Sequence, residues 1–217
     1  MQIHNGTIDQ EIIGWIVKNA GTDRIVSIDL ETRVLNKNFL NGETILGISL
    51  SRRINGSIES NVLVLEKETK ESEAHLLTQF DSMLKEIKPL VVVGFNHTGY
   101  DNVLLALKRR QIVSDYLWNI MDALERSHMI DIKHAARFVI AQHDGTTPKI
   151  LSLEKVLSHS LFRDLPFKNE KGLLNGTMEK GDAIYSMWKN EPEKFRRYAE
   201  GDSHDTLMVF EDIFHVK

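Results

Sequence analysis

The stretch Arg24-Ile-Val-Ser-Ile-Asp-Leu-Glu31 reads as a β-strand whose otherwise apolar run carries two carboxylates at i and i+2. Successive strand residues point to opposite faces, so Asp29 and Glu31 leave on one side while Val26, Ile28 and Leu30 leave on the other. Two negative charges held close together on a rigid strand repel each other, and a divalent cation between them makes the arrangement favourable. The bland alternative is the polar face of a half-exposed antiparallel strand. A D-x-E triplet arises by chance roughly once per chain of this kind. Asp9-Gln-Glu11 is such a case: it follows Thr7, opens a helical pattern and reads as the acidic first turn of a solvated helix.

The pattern on either side of this strand predicts the fold. Ile8, Ile12, Ile13, Ile16 and Val17 predict an amphipathic helix over about Thr7 to Asn19, stopped at Gly21. Two further strands are expected near Glu43 to Ser51 and Ser60 to Leu65, joined through the hairpin signal Asn55-Gly56. Leu76, Leu77, Phe80, Met83, Leu84 and Ile87 mark a helix from Glu71 to Ile87, ended by Pro89. Leu90-Val-Val-Val-Gly-Phe95 is a short apolar run suited to a strand covered on both faces. A helix from about Tyr100 to Arg110, a strand at Met129 to Asp131 and helices near Ile132 to Ala141 and Leu151 to His159 follow. A polar loop over about Arg163 to Thr177 leads to helices near Met178 to Lys189 and Glu193 to Phe214. Three antiparallel strands followed by alternating helices and strands imply an α/β layout, a mixed sheet with helices on its faces.

Composition narrows the chemistry. The 217 residues suffice for one sizeable core, and no linker-like composition divides them, so residues 1–217 are expected to form one domain. There is no cysteine, which excludes disulfides, thiolate metal sites and cysteine nucleophiles. Any metal is therefore held by oxygen or imidazole. No apolar run is long enough to span a membrane and the N-terminus lacks the features of a secretory signal, so the expectation is a soluble, cytoplasmic protein without a membrane partner. A net charge of −4 argues against coating duplex nucleic acid through a broad basic surface.

Two more carboxylates stand out. Phe195, Tyr198, Ala199, Asp202, Thr206, Val209, Phe210 and Ile213 form the apolar stripe of the last helix, with Asp202 in its middle. A carboxylate there requires a hydrogen-bonding partner, a cation or a cleft. Tyr198, one turn earlier on the same face, can address the same site. The alternative is a structural Asp bridging to a neighbouring helix. Gly201, just before Asp202, marks close packing or a local distortion. Asp101 enters a helix through the turn Gly94-Phe-Asn-His-Thr-Gly-Tyr-Asp101, next to a central strand end. By itself it is ordinary compensation of the helix dipole.

Taken together, Ile28-Asp29-Leu30-Glu31-Thr32, Phe95-Asn96 with Tyr100-Asp101, and Tyr198-Ala-Glu-Gly-Asp202 with Thr206 resemble the three motifs of the DnaQ-like, or DEDD, 3′–5′ exonuclease superfamily. They occur in the family's order and cover most of the chain. Met129-Ile-Asp131 and Leu151-Ser-Leu-Glu-Lys resemble intervening segments of family B DNA polymerase proofreading domains. The chain ends soon after the third motif, so the expectation is a stand-alone relative of those domains. Tyr198, four residues before Asp202, matches the tyrosine branch; the histidine branch has His five before, where this chain has Arg197.

The resemblance implies a ribonuclease H-like mixed sheet flanked by helices. It also implies two divalent cations, Mg²⁺ or Mn²⁺, held by Asp29, Glu31, Asp101 and Asp202, with Tyr198 orienting the attacking water. The implied substrates are 3′ ends of single-stranded DNA or RNA, and the products nucleoside 5′-monophosphates. Thr32 and Asn96 stand where related enzymes contact the terminal nucleotides. Phe95 offers a stacking face or is simply a core residue. Lys108-Arg-Arg110, Arg52-Arg53 and Arg196-Arg197 meet phosphates or end solvated elements. The histidines, His97 and His204 included, show no persuasive ligand spacing. Two other classes fit the same sequence: an RNase H-like endonuclease, and a non-catalytic nucleic-acid- or partner-binding module.

Overall fold

A computed structural model describes residues 3–34, 43–112, 117–168, 170–174 and 179–216. In chain order the elements are α1 (Ile3–Ala20), β1 (Ile25–Val34), β2 (Glu43–Ile54), β3 (Ser57–Val64), α2 (Lys70–Ile87), β4 (Val91–Gly94), α3 (Asp101–Ile112), α4 (Trp118–Arg126), β5 (His128–Asp131), α5 (Ile132–Asp144), α6 (Leu153–Leu157), α7 (Lys180–Asn190) and α8 (Pro192–Ile213). The sheet order is β3-β2-β1-β4-β5. β1 is antiparallel to β2, as β2 is to β3, while β4 runs parallel to both β1 and β5. This is the expected α/β mixed sheet of the ribonuclease H-like class.

Local chemistry accounts for the elements. Asn55 and Gly56 both take positive φ (50° and 84°), as a two-residue hairpin turn demands, and Ile54 pairs with Ser57 across it. The hairpin strands run closer to the turn than their apolar pattern suggests because the polar Arg52 and Arg53 still pair in the ladder. Thr69 caps α2 by accepting from the Ser72 amide, and Lys88, in the left-handed region, ends it by donating to Leu84 O before Pro89. β4 is buried along its whole length between β1 and β5, which explains its unbroken apolar sequence. α4 and a short 3-10 turn at Glu170–Leu174 were not expected. Met178, where the penultimate helix was expected to begin, lies outside the described residues, and α7 starts at Lys180.

The two faces of β1 lead to two cores. Val26, Ile28 and Leu30 pack with Val92 and with apolar residues of α2, α3 and α4. Ile25, Val91, Val93 and Ile130 pack with Ile13 and Ile16 of α1, Ala136 and Ile140 of α5, and Leu207, Val209 and Phe210 of α8. Among the described residues no helix is long and apolar enough to cross a membrane.

α8 approaches β1 and β2 closely because their surface beneath it is made of small residues. Ser27, Asp29 and Glu31 pair with Ser51, Ser49 and Gly47, and partners opposite one another share a face. The Ser51 hydroxyl lies 2.7 Å from that of Ser203. A Cβ on Gly47 would sit 2.9 Å from Phe195 Cε1, so the strand must be bare there for the ring to fit. At the far end of the helix Arg53 Nε donates to Glu211 Oε1 at 2.7 Å and Nη2 to Oε2 at 2.5 Å, a two-pronged ion pair.

Candidate metal centre

β4 pairs with β1 only along Ile25 to Ser27. Asp29 and Glu31 therefore project beyond the end of β4, at the point where the sheet changes from parallel to antiparallel pairing. Open α/β sheets offer ligand crevices at such points. The β1–β2 register also slips there: Glu31 faces Gly47 but Thr32 faces Ile45, so Leu46 is the extra residue of a bulge.

The small-residue surface under α8 brings Asp202 to this strand end. One carboxylate oxygen each from Asp29, Glu31 and Asp202 lies within 4.8 Å of the other two. Glu31 and Asp202 are buried, 4% and 7% exposed, and Asp29 is half-buried. Three carboxylates this close form an all-oxygen donor set that could hold a metal ion, and the chemistry of that set fits hard divalent cations.

Asp101, the first residue of α3, is not one of these three but lies across the same cleft. Burial pushes its pKa well above the ordinary carboxylate range, with further upward pushes from Asp29 and Asp131, against opposing effects from its own backbone hydrogen bond and Lys180. Asp29, Glu31, Thr32, Tyr100 and Asp101 line one cavity of about 270 Å³. It meets a larger one of about 560 Å³, lined by Asp202, Ser152, Glu154 and Lys133 among others. Asp29, Phe95, Asn96 and Lys180 belong to both, so the carboxylates stand at the junction of the two openings.

Tyr198 is fully buried and lines neither cavity. Burial first, then the charges of Glu31, Asp202 and Asp29, push its phenol pKa far upward, so it stays protonated. The structure thus sets the phenol among the carboxylates but under them.

The expected substrate residues all reach the cleft. The Tyr100 hydroxyl donates to the buried Glu43 at 2.7 Å, leaving the Thr32 hydroxyl to donate to Tyr100 at 2.8 Å. Phe95 packs against the second core and also lines both cavities. Asn96 takes a left-handed φ of 65°; its amide donates to Asp131 Oδ1 at 2.9 Å and its side chain accepts from Lys133 Nζ at 3.0 Å. The next residue, His97, turns inward and is buried.

Other features sort into structural roles. A Cβ on Gly201 would come 3.1 Å from Glu170 Cβ, which identifies that glycine as the seat of the Glu170–Leu174 turn. His204 Nδ1 pairs with Asp205 Oδ1 at 2.9 Å. Of the basic runs, Lys108 is buried against Glu73 at 3.1 Å, Arg53 is held by Glu211, and Arg196 donates to Val62 O. Lys180, at the start of α7, lines both cavities and was not anticipated. No pattern in the sequence around it singles it out.

No family model and no curated protein matches this chain. Solved structures do share its shape. A family B DNA polymerase from the hyperthermophilic archaeon Pyrobaculum calidifontis superposes with a TM-score of 0.61 at 14% sequence identity, covering 87% of this chain. This chain spans 24% of the length of that polymerase. At that identity the likeness is one of fold.

Proposed function

We propose that this protein is a metal-dependent 3′–5′ exonuclease of the tyrosine branch, acting on single-stranded DNA or RNA and releasing nucleoside 5′-monophosphates. The observation that carries this reading is the set of Asp29, Glu31 and Asp202 oxygens within 4.8 Å of one another at a sheet switch point. The order of the motifs and the polymerase-like shape support it. Asp29, Glu31 and Asp202 would hold the cations from one side and Asp101 from across the cleft. Bound Mg²⁺ or Mn²⁺ would supply Lewis acidity toward phosphate oxygens and help to deprotonate water.

The chain's own residues would do the rest. Tyr198 is held neutral by its surroundings, so it would serve as a hydroxyl and not as a base, and it would reach an attacking water only where that water is drawn down between the carboxylates above it. Thr32, Asn96 and the Phe95 ring would position the terminal nucleotides, with stacking on Phe95 indifferent to base identity. Lys180 brings a positive charge to the wall that a phosphate would pass.

The test is purified protein with Mn²⁺ or Mg²⁺ on matched 5′-labelled DNA and RNA oligonucleotides. The expected result is a ladder shortening from the 3′ end, abolished in Asp202→Ala. A single internal cut would replace this reading with an endonuclease, and binding without metal-dependent cleavage would replace it with a non-catalytic module.

A further inference from the structure

A second cluster lies away from the carboxylate centre. His143 and Asp144 close α5, and His159 follows α6. One donor atom from each lies within 4.8 Å of the other two. His143 Nδ1 is 2.7 Å from Asp144 Oδ1, and His159 Nε2 is 3.2 Å from Asp144 Oδ2. The two imidazoles meet edge to face, with ring centres 5.6 Å apart and planes at 82°. Their side chains are partly exposed, 48% for His143, 40% for Asp144 and 18% for His159, so an ion can enter and coordination positions remain for water.

We propose that His143, Asp144 and His159 form a site for one borderline transition cation, Zn²⁺ or its neighbours Co²⁺ and Ni²⁺, separate from the hard-cation centre. The donor chemistry separates the two sites. Two imidazoles and one carboxylate suit zinc-like ions, whereas a set of carboxylates alone suits Mg²⁺ or Mn²⁺. The spacing also fits. Bonds of about 2.0–2.2 Å in a tetrahedral site put donor atoms about 3.3 Å apart. The two contacts, 2.7 Å to Asp144 Oδ1 and 3.2 Å to Asp144 Oδ2, stand close to that separation, and the three donors lie within 4.8 Å of one another. One contact opposes binding: the Leu161 amide donates to His159 Nδ1 at 3.3 Å, which leaves the proton of the neutral ring on Nε2. A cation on Nε2 moves that proton to Nδ1 and gives up this bond, which is near the long end of the hydrogen-bond range.

The position gives the ion a task. Asp144 and His159 are 15 residues apart, and the chain between them carries Ser152, Leu153 and Glu154 into the wall of the larger cavity. A cation joining the two ends would close that excursion at its base and fix the cavity wall.

The experiment is calorimetric titration of untagged protein with Zn²⁺ in excess Mg²⁺, added to compete for the carboxylates. One equivalent should bind to the wild type and to Asp202→Asn. Affinity should fall at least tenfold in His143→Ala/His159→Ala and in Asp144→Asn, whose side chain keeps its shape. Trypsin cleavage after the exposed Lys149 gives a second readout. Zn²⁺ should slow it severalfold in the wild type and leave the double variant unchanged. Equal Zn²⁺ affinity in the wild type and the double variant, or no Zn²⁺ binding to the wild type, would overturn the proposal. Neither readout depends on nuclease activity, so the two proposals stand or fall separately.

Discussion

The substitution Asp202→Asn should make the metal-free protein more stable. The oxygens of Asp29, Glu31 and Asp202 approach within 4.8 Å. At an effective dielectric constant of about 20, two unit charges at that distance repel by about 3.5 kcal/mol. Asparagine keeps the shape of the side chain and removes two of the three repulsive pairs, about 7 kcal/mol before screening. Asp29 is half-buried and its charge reaches solvent, so the net gain should be far smaller, about 1–3 kcal/mol. For a chain of this size that is a rise of about 3–8 °C in melting temperature. Thermal denaturation in EDTA, then with Mn²⁺, reads both halves of the argument. The wild type should gain stability with Mn²⁺, since an ion that binds only the folded state adds about 2.7 kcal/mol at a hundred times its dissociation constant. The variant should lose most of that gain. A variant that melts below the wild type in EDTA, or that keeps the full Mn²⁺ shift, would refute the reasoning.

Asp101 makes stability pH-dependent. Its folded pKa is raised, so the folded state holds the proton to higher pH than the unfolded chain. The contribution is complete below the ordinary carboxylate range and is lost as pH rises through the raised value. In EDTA, the wild type should therefore lose melting temperature relative to Asp101→Asn as pH rises from about 4, the ordinary carboxylate range, through the raised value; parallel curves for the two proteins would contradict this. Gly47→Ala would place a Cβ 2.9 Å and 3.0 Å from Phe195 ring atoms. It should cost about 1–3 kcal/mol in chemical denaturation and lower Mn²⁺-dependent cleavage by displacing α8. Unchanged stability would show that the ring can give way.

The carboxylate positions were legible because each breaks a pattern: two acids in an apolar strand, and one on the apolar stripe of α8. The hairpin was legible from Asn55-Gly56, whose backbone demands leave few alternatives. α4 was not, because a nine-residue helix that buries Ile120 and Ala123 but leaves Trp118 exposed offers too few periodic positions. Gly47, Ser49 and Ser51 alternate along β2 in plain view. Small polar residues at period two normally indicate a solvated face, and only the docked helix gives them their meaning. The Thr32–Tyr100–Glu43 chain joins residues far apart in sequence, and nothing local announces it. Lys108 sits in a basic run that favours a surface reading, yet its partner Glu73 lies on another helix and both are buried.

α8 touches β2 at Gly47 through Phe195, at Ser51 through Ser203 and at Arg53 through Glu211. Each residue added to or removed from a helix rotates everything beyond it by about 100°. A single insertion between Phe195 and Glu211 would turn either the Asp202 end or the Glu211 end away from the sheet. The helix therefore behaves as a ruler with fixed graduations. Differences in chain length within this architecture would have to be absorbed in the connections between elements, such as residues 145–150, and designed insertions should be directed there.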